Sequence, residues 1–212
     1  MSGRSPVLLV GALLSLGVLG GCATGERPTL VAEDTSIADP TAKAVADRLD
    51  RAPDSVFTAT YTITPTLTNE PTQAIVVQSG VRQRITIGSV DYTSDGTTVR
   101  TCVTGGGECV DGIDEARISN LNITHTFWGE SAMTRLRVDT ARSVTAAVGR
   151  TENVAGQAAT CADLTVPAPE GVGTVVYCAL DAGVLARYTG IDVRIELTSF
   201  SPIADGAQLT FS

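Results

Sequence analysis

The sequence has few of the residues that most catalytic and metal-binding sites use. It contains one histidine (His125), no Cys-x-x-Cys pair, and charged residues at only 18% of its 212 positions. The lack of closely spaced cysteines and histidines argues against a structural zinc site. The net charge of -8, from 15 Lys+Arg and 23 Asp+Glu, argues against nucleic acid, because Lys and Arg bind the phosphate backbone. We therefore expect no metal, no other cofactor and no nucleic-acid partner.

Aromatic residues are also scarce, at 4%, but the chain is not disordered in character. Hydrophobic residues make up 43% of it, which is too apolar a composition for a disordered protein. A chain of this length can bury roughly 70% of its unfolded surface in one domain. A folded body is therefore expected.

The N-terminus predicts export and lipid anchoring. Arg4 precedes fifteen uncharged residues, Val7 to Gly21, which match a signal peptide and are shorter than the roughly 20 residues of a membrane span. The run ends in Leu19-Gly20-Gly21-Cys22, which resembles a bacterial lipobox. That resemblance implies cleavage before Cys22 and a diacylglycerol on its thiol; the alternative is an ordinary signal peptide with an incidental cysteine. Two or more acyl chains would hold the protein stably on the extracytoplasmic side of the cell membrane.

The rest of the chain divides into a tether and one domain. Residues 1–21 are predicted to be the lipoprotein signal peptide, and residues 22–38 a flexible tether, because they have no apolar period and carry Gly, Pro and Thr. Residues 39–212 are predicted to form a single domain.

The spacing of apolar residues changes from helical to alternating near residue 57. Asp39-Pro40 is typical of a helix start, and apolar residues at helical spacing extend that helix to Arg51. From Phe57 to Ile63 apolar residues alternate with threonines, as in a half-buried strand. Further strands are predicted at Gln73–Gln78, Val81–Gly88, Val99–Val103, Ser143–Arg150, Gln157–Val166, Gly173–Leu180, Val184–Tyr188, Asp192–Ser201 and finally Leu209–Phe211. Short turns between strands favour an antiparallel meander.

A helical or irregular insert interrupts the strands between Asp111 and Arg142. Its clearest helix is predicted from Glu130 to Arg142, with Met133 and Leu136 on the apolar side.

Four cysteines are left after Cys22, and an even number in an exported chain predicts disulfides. Cys161 and Cys178 lie symmetrically about a predicted hairpin turn, so antiparallel pairing places them opposite each other. Cys102 and Cys109 flank a glycine-rich loop in the same way. We predict the pairs 102–109 and 161–178; a redox or metal role for the four thiols is the alternative.

Signals for catalysis or metal binding are weak. His125 is the one candidate base near neutral pH, and a triad with Ser131 and Asp139 lacks any supporting motif, so a loop histidine is favoured. The acidic cluster Asp111, Asp114 and Glu115 lacks the spacing of a calcium loop and is interpreted as a solvated helix start. Asp91 and Asp95 are expected to shape a hairpin turn.

Three C-terminal segments carry a resemblance to a known family. They are residues 153–161 (Asn-Val-Ala-Gly-Gln-Ala-Ala-Thr-Cys), 176–187 (Val-Tyr-Cys-Ala-Leu-Asp-Ala-Gly-Val-Leu-Ala-Arg) and 195–201 (Ile-Glu-Leu-Thr-Ser-Phe-Ser). With the acyl anchor, the leading helix and the insert, this pattern resembles the LolA-like half-barrel lipoproteins, nearest to the LppX/LprG group of cell-envelope lipoproteins.

The resemblance implies both a fold and a function. The fold is α+β, a strongly curved antiparallel sheet of about ten strands with one N-terminal helix and a helical insert on its concave side. The function is binding, and transfer, of an amphiphilic lipid or glycolipid in an apolar cavity without chemistry. The alternative is a scaffold lipoprotein with a filled core that binds an envelope protein through its acidic surface.

The insert supplies the candidate cavity-lining residues, because two large aromatics in an aromatic-poor chain must pack against something. Phe127 and Trp128 are first interpreted as core residues, and a position at the mouth of the cavity is the alternative. The candidates for the lining are Phe127, Trp128, Met133 and Leu136.

Overall fold

One antiparallel sheet of eleven strands dominates the computed structural model, which describes residues 36–105 and 107–209. The strands are β1 (Phe57–Pro65), β2 (Thr72–Ser79), β3 (Arg82–Ile87), β4 (Val90–Ser94), β5 (Val99–Val103), β6 (Cys109–Asp111), β7 (Val148–Val154), β8 (Gln157–Ala168), β9 (Gly171–Leu180), β10 (Leu185–Thr189) and β11 (Val193–Ser201). Their spatial order is β6-β5-β4-β3-β2-β1-β11-β10-β9-β8-β7, so two meanders meet where β1 pairs with β11. The sheet is curved and unclosed, which confirms the predicted α+β half-barrel.

The two faces of the sheet differ as the alternation predicts. Along β1 every second residue from Phe57 to Pro65 is buried, and the threonines between them point to the other face. The buried side of each strand contributes to one core, which also contains residues of both helices. The core therefore lies between the concave face of the sheet and the helices.

Helix α1 (Pro40–Leu49) is fixed at its start by Asp39. Its carboxylate accepts hydrogen bonds from the backbone N–H groups of Thr41 and Ala42, each at 2.9 Å, and its other oxygen accepts from Ala147 N–H at 2.9 Å. Burial alone would raise the pKa of Asp39, but these donors outweigh burial and lower it. One side chain thus caps α1 and ties it to the chain just before β7, so α1 packs against β7, β8 and β9.

The insert between β6 and β7 supplies the remaining helices. A 3-10 segment runs from Glu115 to Leu121, and α2 runs from Glu130 to Ala141. Asp114 caps the 3-10 segment by accepting from Ala116 N–H at 3.2 Å, as expected for the start of a helix. A shorter 3-10 turn, Ala52–Asp54, follows α1.

The prediction that Asp91 shapes a turn is wrong. Asp91 lies inside β4, is 6% exposed, and accepts from Arg84 at 2.6 Å and from Thr86 at 2.5 Å, both on the neighbouring strand β3. The partners on β3 neutralise the cost of burying the carboxylate. Asp95 does shape a turn: its carboxylate accepts from the backbone of Thr97 and Thr98, which lowers its pKa to about 2.

The prediction for the strand Ser143–Arg150 is half wrong. Residues 143–147 form a loop, and β7 begins at Val148 and continues to Val154. Two separate hydrogen bonds fix this loop: Val144 N–H donates to Thr165 O at 2.9 Å, and Ala147 N–H donates to the carboxylate of Asp39. These two bonds take the place of the strand pairing that was predicted for residues 143–147.

Several predictions concern residues outside the described part of the chain. The signal peptide, Cys22 and nearly all of the tether lie there, as do the last two residues of the predicted strand 209–211; residue 209 itself is in a turn. Among residues 36–105 and 107–209, no helix has the length and apolar character needed to cross a bilayer.

Candidate functional site

The insert is anchored to the sheet by aromatic rings and one backbone bond. The ring of Phe127 meets the ring of Tyr61 edge-on at 5.1 Å, and the ring of Trp128 meets that of Phe57 edge-on, also at 5.1 Å. Leu185 N–H in β10 donates to Trp128 O at 2.8 Å. Both large aromatics thus pack down onto β1, while the first turns of α2 face β10 and β11.

A cavity of about 470 Å³ lies between the start of α2 and the concave face of β10 and β11. This volume falls within the 300–1,000 Å³ range of small-molecule sites. Its apolar lining comes from the insert and the two strands: Ile123, Phe127, Ala132, Leu185, Tyr188 and Ile195. Polar side chains line the rest: Glu115, Thr124, His125, Thr126, Glu130, Ser131, Thr134 and Arg135.

The polar side of the cavity contains a histidine paired with a carboxylate. His125 Nδ1 is hydrogen-bonded to Glu115 Oε1, and the backbone N–H of His125 lies 3.1 Å from each oxygen of the same carboxylate. Glu115 therefore orients the ring from a 3-10 segment ten residues away. The ring of Tyr92 stands 5.3 Å from it and covers one side.

Three hydroxyls beside His125 are bonded to one another. Thr126 Oγ1 lies 2.6 Å from Ser131 Oγ and 3.2 Å from Thr124 Oγ1, and Thr124 also contacts Ser131. A triad of His125, Ser131 and Asp139 is excluded, because Asp139 lies elsewhere. Its carboxylate accepts from Tyr177 Oη at 2.5 Å and pairs with Arg142 at 2.9 Å.

Arg135 forms the wall between this cavity and a second one of about 340 Å³, which it also lines together with Thr134 and Tyr188. The guanidinium donates to Asp192 at 2.9 Å and to Tyr188 Oη at 3.3 Å, and its carbon lies 5.4 Å from the centre of the Tyr188 ring. Burial alone would lower the pKa of Arg135, but the bond and the charge of Asp192 outweigh burial and raise it. Arg135 is therefore a fixed cation in the wall.

The four residues predicted to line the cavity lie in three different places in the structure. Phe127 lines the 470 Å³ cavity, and Met133 lines a smaller one of about 220 Å³ beside α1. Trp128 and Leu136 line none of these three cavities; they are 4% and 0% exposed and belong to the packed core, as Phe127 also does. Trp128 fits its first interpretation as a core residue.

The strand residues of the lining are not among the predicted candidates. Leu185, Tyr188 and Ile195 are predicted only as parts of strands, because alternation identifies the inner face and not the gap above it. The partnership of Glu115 with His125 left no signal in the sequence either, since it joins the start of the 3-10 segment to the loop before α2.

Both disulfides form between the predicted partners. Cys102 and Cys109 join β5 to β6, with Cα atoms 4.1 Å apart, and Cys161 and Cys178 face each other across β8 and β9, with Cα atoms 4.0 Å apart. Glu152 lies near the second pair, which gives a cluster of three residues with possible metal-ligand atoms among the described residues. Because the two sulfurs are bonded to each other, they are not thiolate ligands.

No protein-family model matches the chain, and no curated protein matches it. Solved structures similar to it include a crystal structure of MucB, with a TM-score of 0.46 and 14% identity over 81% of this chain and 62% of that chain. MucB in complex with MucA(peri) has a TM-score of 0.42 and 14% identity over 81% of this chain and 60% of that chain. The Pseudomonas aeruginosa MucA/MucB complex has a TM-score of 0.42 and 15% identity over 80% of this chain and 61% of that chain. The present chain spans about three fifths of those chains, and these values assign it neither a ligand nor a partner.

Proposed function

We propose that the protein is a membrane-anchored cell-envelope lipoprotein of the LolA-like half-barrel kind, which binds and transfers an amphiphilic lipid or glycolipid. The observation that carries this proposal is the 470 Å³ cavity between the insert and the concave face. A filled concave face would have argued against it. No chemical step is included in the proposal.

The lining of the cavity suits a molecule with one apolar and one polar part. Leu185, Ile195 and Phe127 offer apolar surface from the strands and the insert, where an acyl chain gains about 0.8 kcal/mol for each buried methylene. Glu115, His125 and the hydroxyl cluster supply donors and acceptors at the polar side. An amphiphile would thus be oriented with its chain on the strands and its head group against the polar residues.

The test is lipid extraction from the purified acylated protein followed by mass spectrometry, with two matched variants. Ala132 lines the cavity on α2 and is 3% exposed, so Ala132→Leu places a larger side chain in the proposed site. Ala46 lies on α1, is 7% exposed and lines the separate 220 Å³ cavity, so Ala46→Leu is the control. We expect Ala132→Leu to lose non-covalent lipid and Ala46→Leu to retain it.

Two results would count against the proposal. One is wild-type protein that carries no lipid and takes none up from vesicles. The other is equal lipid content in the Ala132 and Ala46 variants, since binding would then not depend on the cavity.

The anchor is tested separately, because its support comes from the sequence alone. The N-terminal peptide of the mature protein is expected to begin at Cys22 with the mass of a diacylglyceryl group. Cys22→Ala should leave the protein in the aqueous phase of a detergent partition. An unmodified Cys22 in membrane-derived protein would contradict the lipobox interpretation.

A second candidate function, binding of an envelope protein, is favoured by exposed apolar side chains at one end of the sheet. Leu67 is 93% exposed, Val172 67% and Ile191 48%. The loops of Leu67 and Ile191 are neighbours, since Thr66 N–H donates to Asp192 O at 2.9 Å. A photo-crosslinker at position 67 should give a discrete protein adduct that a crosslinker at position 81, in the turn at the other end of β2, does not. Equal labelling from both positions would exclude this surface.

A further inference from the structure

Two buried hydrogen-bond donors in the core have no acceptor. Among residues 36–105 and 107–209, neither Tyr61 Oη nor Trp128 Nε1 has a hydrogen-bond partner, although Tyr61 is 0% exposed and Trp128 is 4% exposed. A buried polar group without a partner is costly, and such groups in native proteins require an explanation. The other buried tyrosines show the usual arrangement: Tyr92 Oη donates to Asp114 O at 3.1 Å, and Tyr177 Oη donates to Asp139 at 2.5 Å.

Tyr61 lies one side chain away from the 470 Å³ cavity, and Trp128 follows a lining residue in the chain. Phe127 lines the cavity and its ring stands nearly perpendicular, at 85°, to the ring of Tyr61. Trp128 comes next in the chain and packs on Phe57, which is four residues from Tyr61 and on the same face of β1. Tyr61 is therefore in ring contact with a side chain that lines the cavity.

Resting on the proposed lipid-binding function, we infer that the bound lipid is an acyl ester whose carbonyl oxygen replaces the ring of Phe127 and accepts a hydrogen bond from Tyr61 Oη. Trp128 Nε1 is a second buried donor without a partner, on the residue next to Phe127. The hydroxyl of Tyr61 can donate a hydrogen bond, and the indole N–H of Trp128 can only donate. The ligand group that would pair with them is therefore an acceptor.

The acceptor is a neutral carbonyl and not a carboxylate or phosphate. A charge moved into this apolar layer would carry a large desolvation cost, and the rings of Phe57 and Phe127, which pack against Trp128 and Tyr61, are uncharged. Burial raises the pKa of Tyr61, which keeps its hydroxyl protonated and able to donate. Tyr61 is thus assigned as a residue that discriminates between lipids by their linkage.

The experiment compares two probes that differ only at the carbonyl: monopalmitoylglycerol and its hexadecyl ether analogue. Binding of each is measured by calorimetry on the full-length mature protein, its Tyr61→Phe variant and its Tyr92→Phe variant. Wild-type protein should bind the ester about tenfold more tightly than the ether, the factor expected for one hydrogen bond of ordinary strength. Tyr61→Phe should remove that preference by weakening ester binding alone, and Tyr92→Phe should preserve it.

A measurement on the lipid-free protein supplies an independent check. Tyr61→Phe removes a hydroxyl that has no partner, so its melting temperature should equal or exceed that of the wild type. Tyr92→Phe removes a bonded hydroxyl and should lower the melting temperature.

The outcomes separate this inference from the proposed function. If the wild type binds ester and ether equally, or Tyr61→Phe keeps the preference, the role of Tyr61 is wrong and lipid binding stands. A lower melting temperature for lipid-free Tyr61→Phe, with unchanged ester affinity, also overturns the role, because the hydroxyl would then serve the free protein. If the wild type binds neither probe, the proposed function fails and this inference fails with it.

Discussion

Asp39 offers the sharpest test of how the helices are held on the sheet. One oxygen of its carboxylate caps α1 through Thr41 and Ala42, and the other accepts from Ala147 N–H at 2.9 Å. Asp39→Ala removes both functions. Asp39→Asn keeps an oxygen for the cap but replaces the second oxygen with an NH₂ group, which cannot accept from Ala147.

The cost of each change can be worked out from these contacts. Loss of an N-cap side chain costs about 1 kcal/mol. Loss of a hydrogen bond to a charged acceptor, with Ala147 N–H left without this partner, costs about 1.5 kcal/mol more. We therefore expect Asp39→Ala to lower the free energy of unfolding by about 2.5 kcal/mol and Asp39→Asn by about 1.5 kcal/mol. For a chain of this size, the larger loss corresponds to a drop in Tm of roughly 5–10 °C.

Urea unfolding at several pH values measures both the size and the origin of the effect. The pKa of Asp39 is lower in the folded protein than its ordinary value, so its contribution is fully present above the unfolded pKa of about 3.9. It is lost as the pH falls through the lower, folded pKa. The difference between wild type and Asp39→Ala should thus be full at neutral pH and shrink below about pH 4. The reasoning is refuted if that difference is the same at pH 7 and pH 3, or if Asp39→Asn is as stable as the wild type.

Three other contacts lead to further stability predictions. Replacing both Cys161 and Cys178 with Ser should cost about 3 kcal/mol in guanidinium unfolding, because the bridge closes a loop over a sequence separation of 17; an unchanged midpoint would contradict this. Gly183→Ala should lower the free energy of unfolding by about 2 kcal/mol, since Gly183 has a φ of 86° and an added Cβ would lie 2.8 Å from the backbone that comes after α1. Thermal unfolding followed by circular dichroism measures this loss, and an unchanged stability would exclude the clash. Tyr177→Phe should cost about 2 kcal/mol by removing the donor to buried Asp139, with Tyr92→Phe as a matched comparison; equal stability to wild type would rule out that bond.

The parts of the fold that local rules govern could be predicted from the sequence. Asp39-Pro40 marks the start of α1, because capping depends only on a few neighbouring residues. The pairing of Cys161 with Cys178 is a consequence of strand symmetry about one turn. The turn prediction for Asp91 is wrong because its burial depends on Arg84 across a strand pair, and an aspartate beside a glycine-serine turn signals a turn when that partner is unknown.

The candidate site was harder to predict, because a cavity is made by the relative placement of distant elements. The bond from Leu185 N–H to Trp128 O, between residues 57 positions apart, sets where the insert meets β10. Whether an apolar side chain then fills the core or lines a gap depends on that placement. Phe127 and Leu136 lie in the same insert and both belong to the packed core, yet of the two only Phe127 lines the cavity.

The position of the gap nevertheless has a physical cause in the sequence. The two large aromatics of the insert, Phe127 and Trp128, pack on β1 against Tyr61 and Phe57. The start of α2 that follows carries small residues at positions 131, 132 and 134, flanked by Glu130 and Arg135, and all five line the cavity opposite β10 and β11. Side chains of that size do not span the distance between a helix and a curved sheet, so the space stays open. The sequence pattern that would have located this site has two parts. Two large aromatics pack against the sheet, and the helix that follows them presents small residues to the apolar face. This pattern is also why Ala132→Leu should reduce lipid content more than any enlargement on α1.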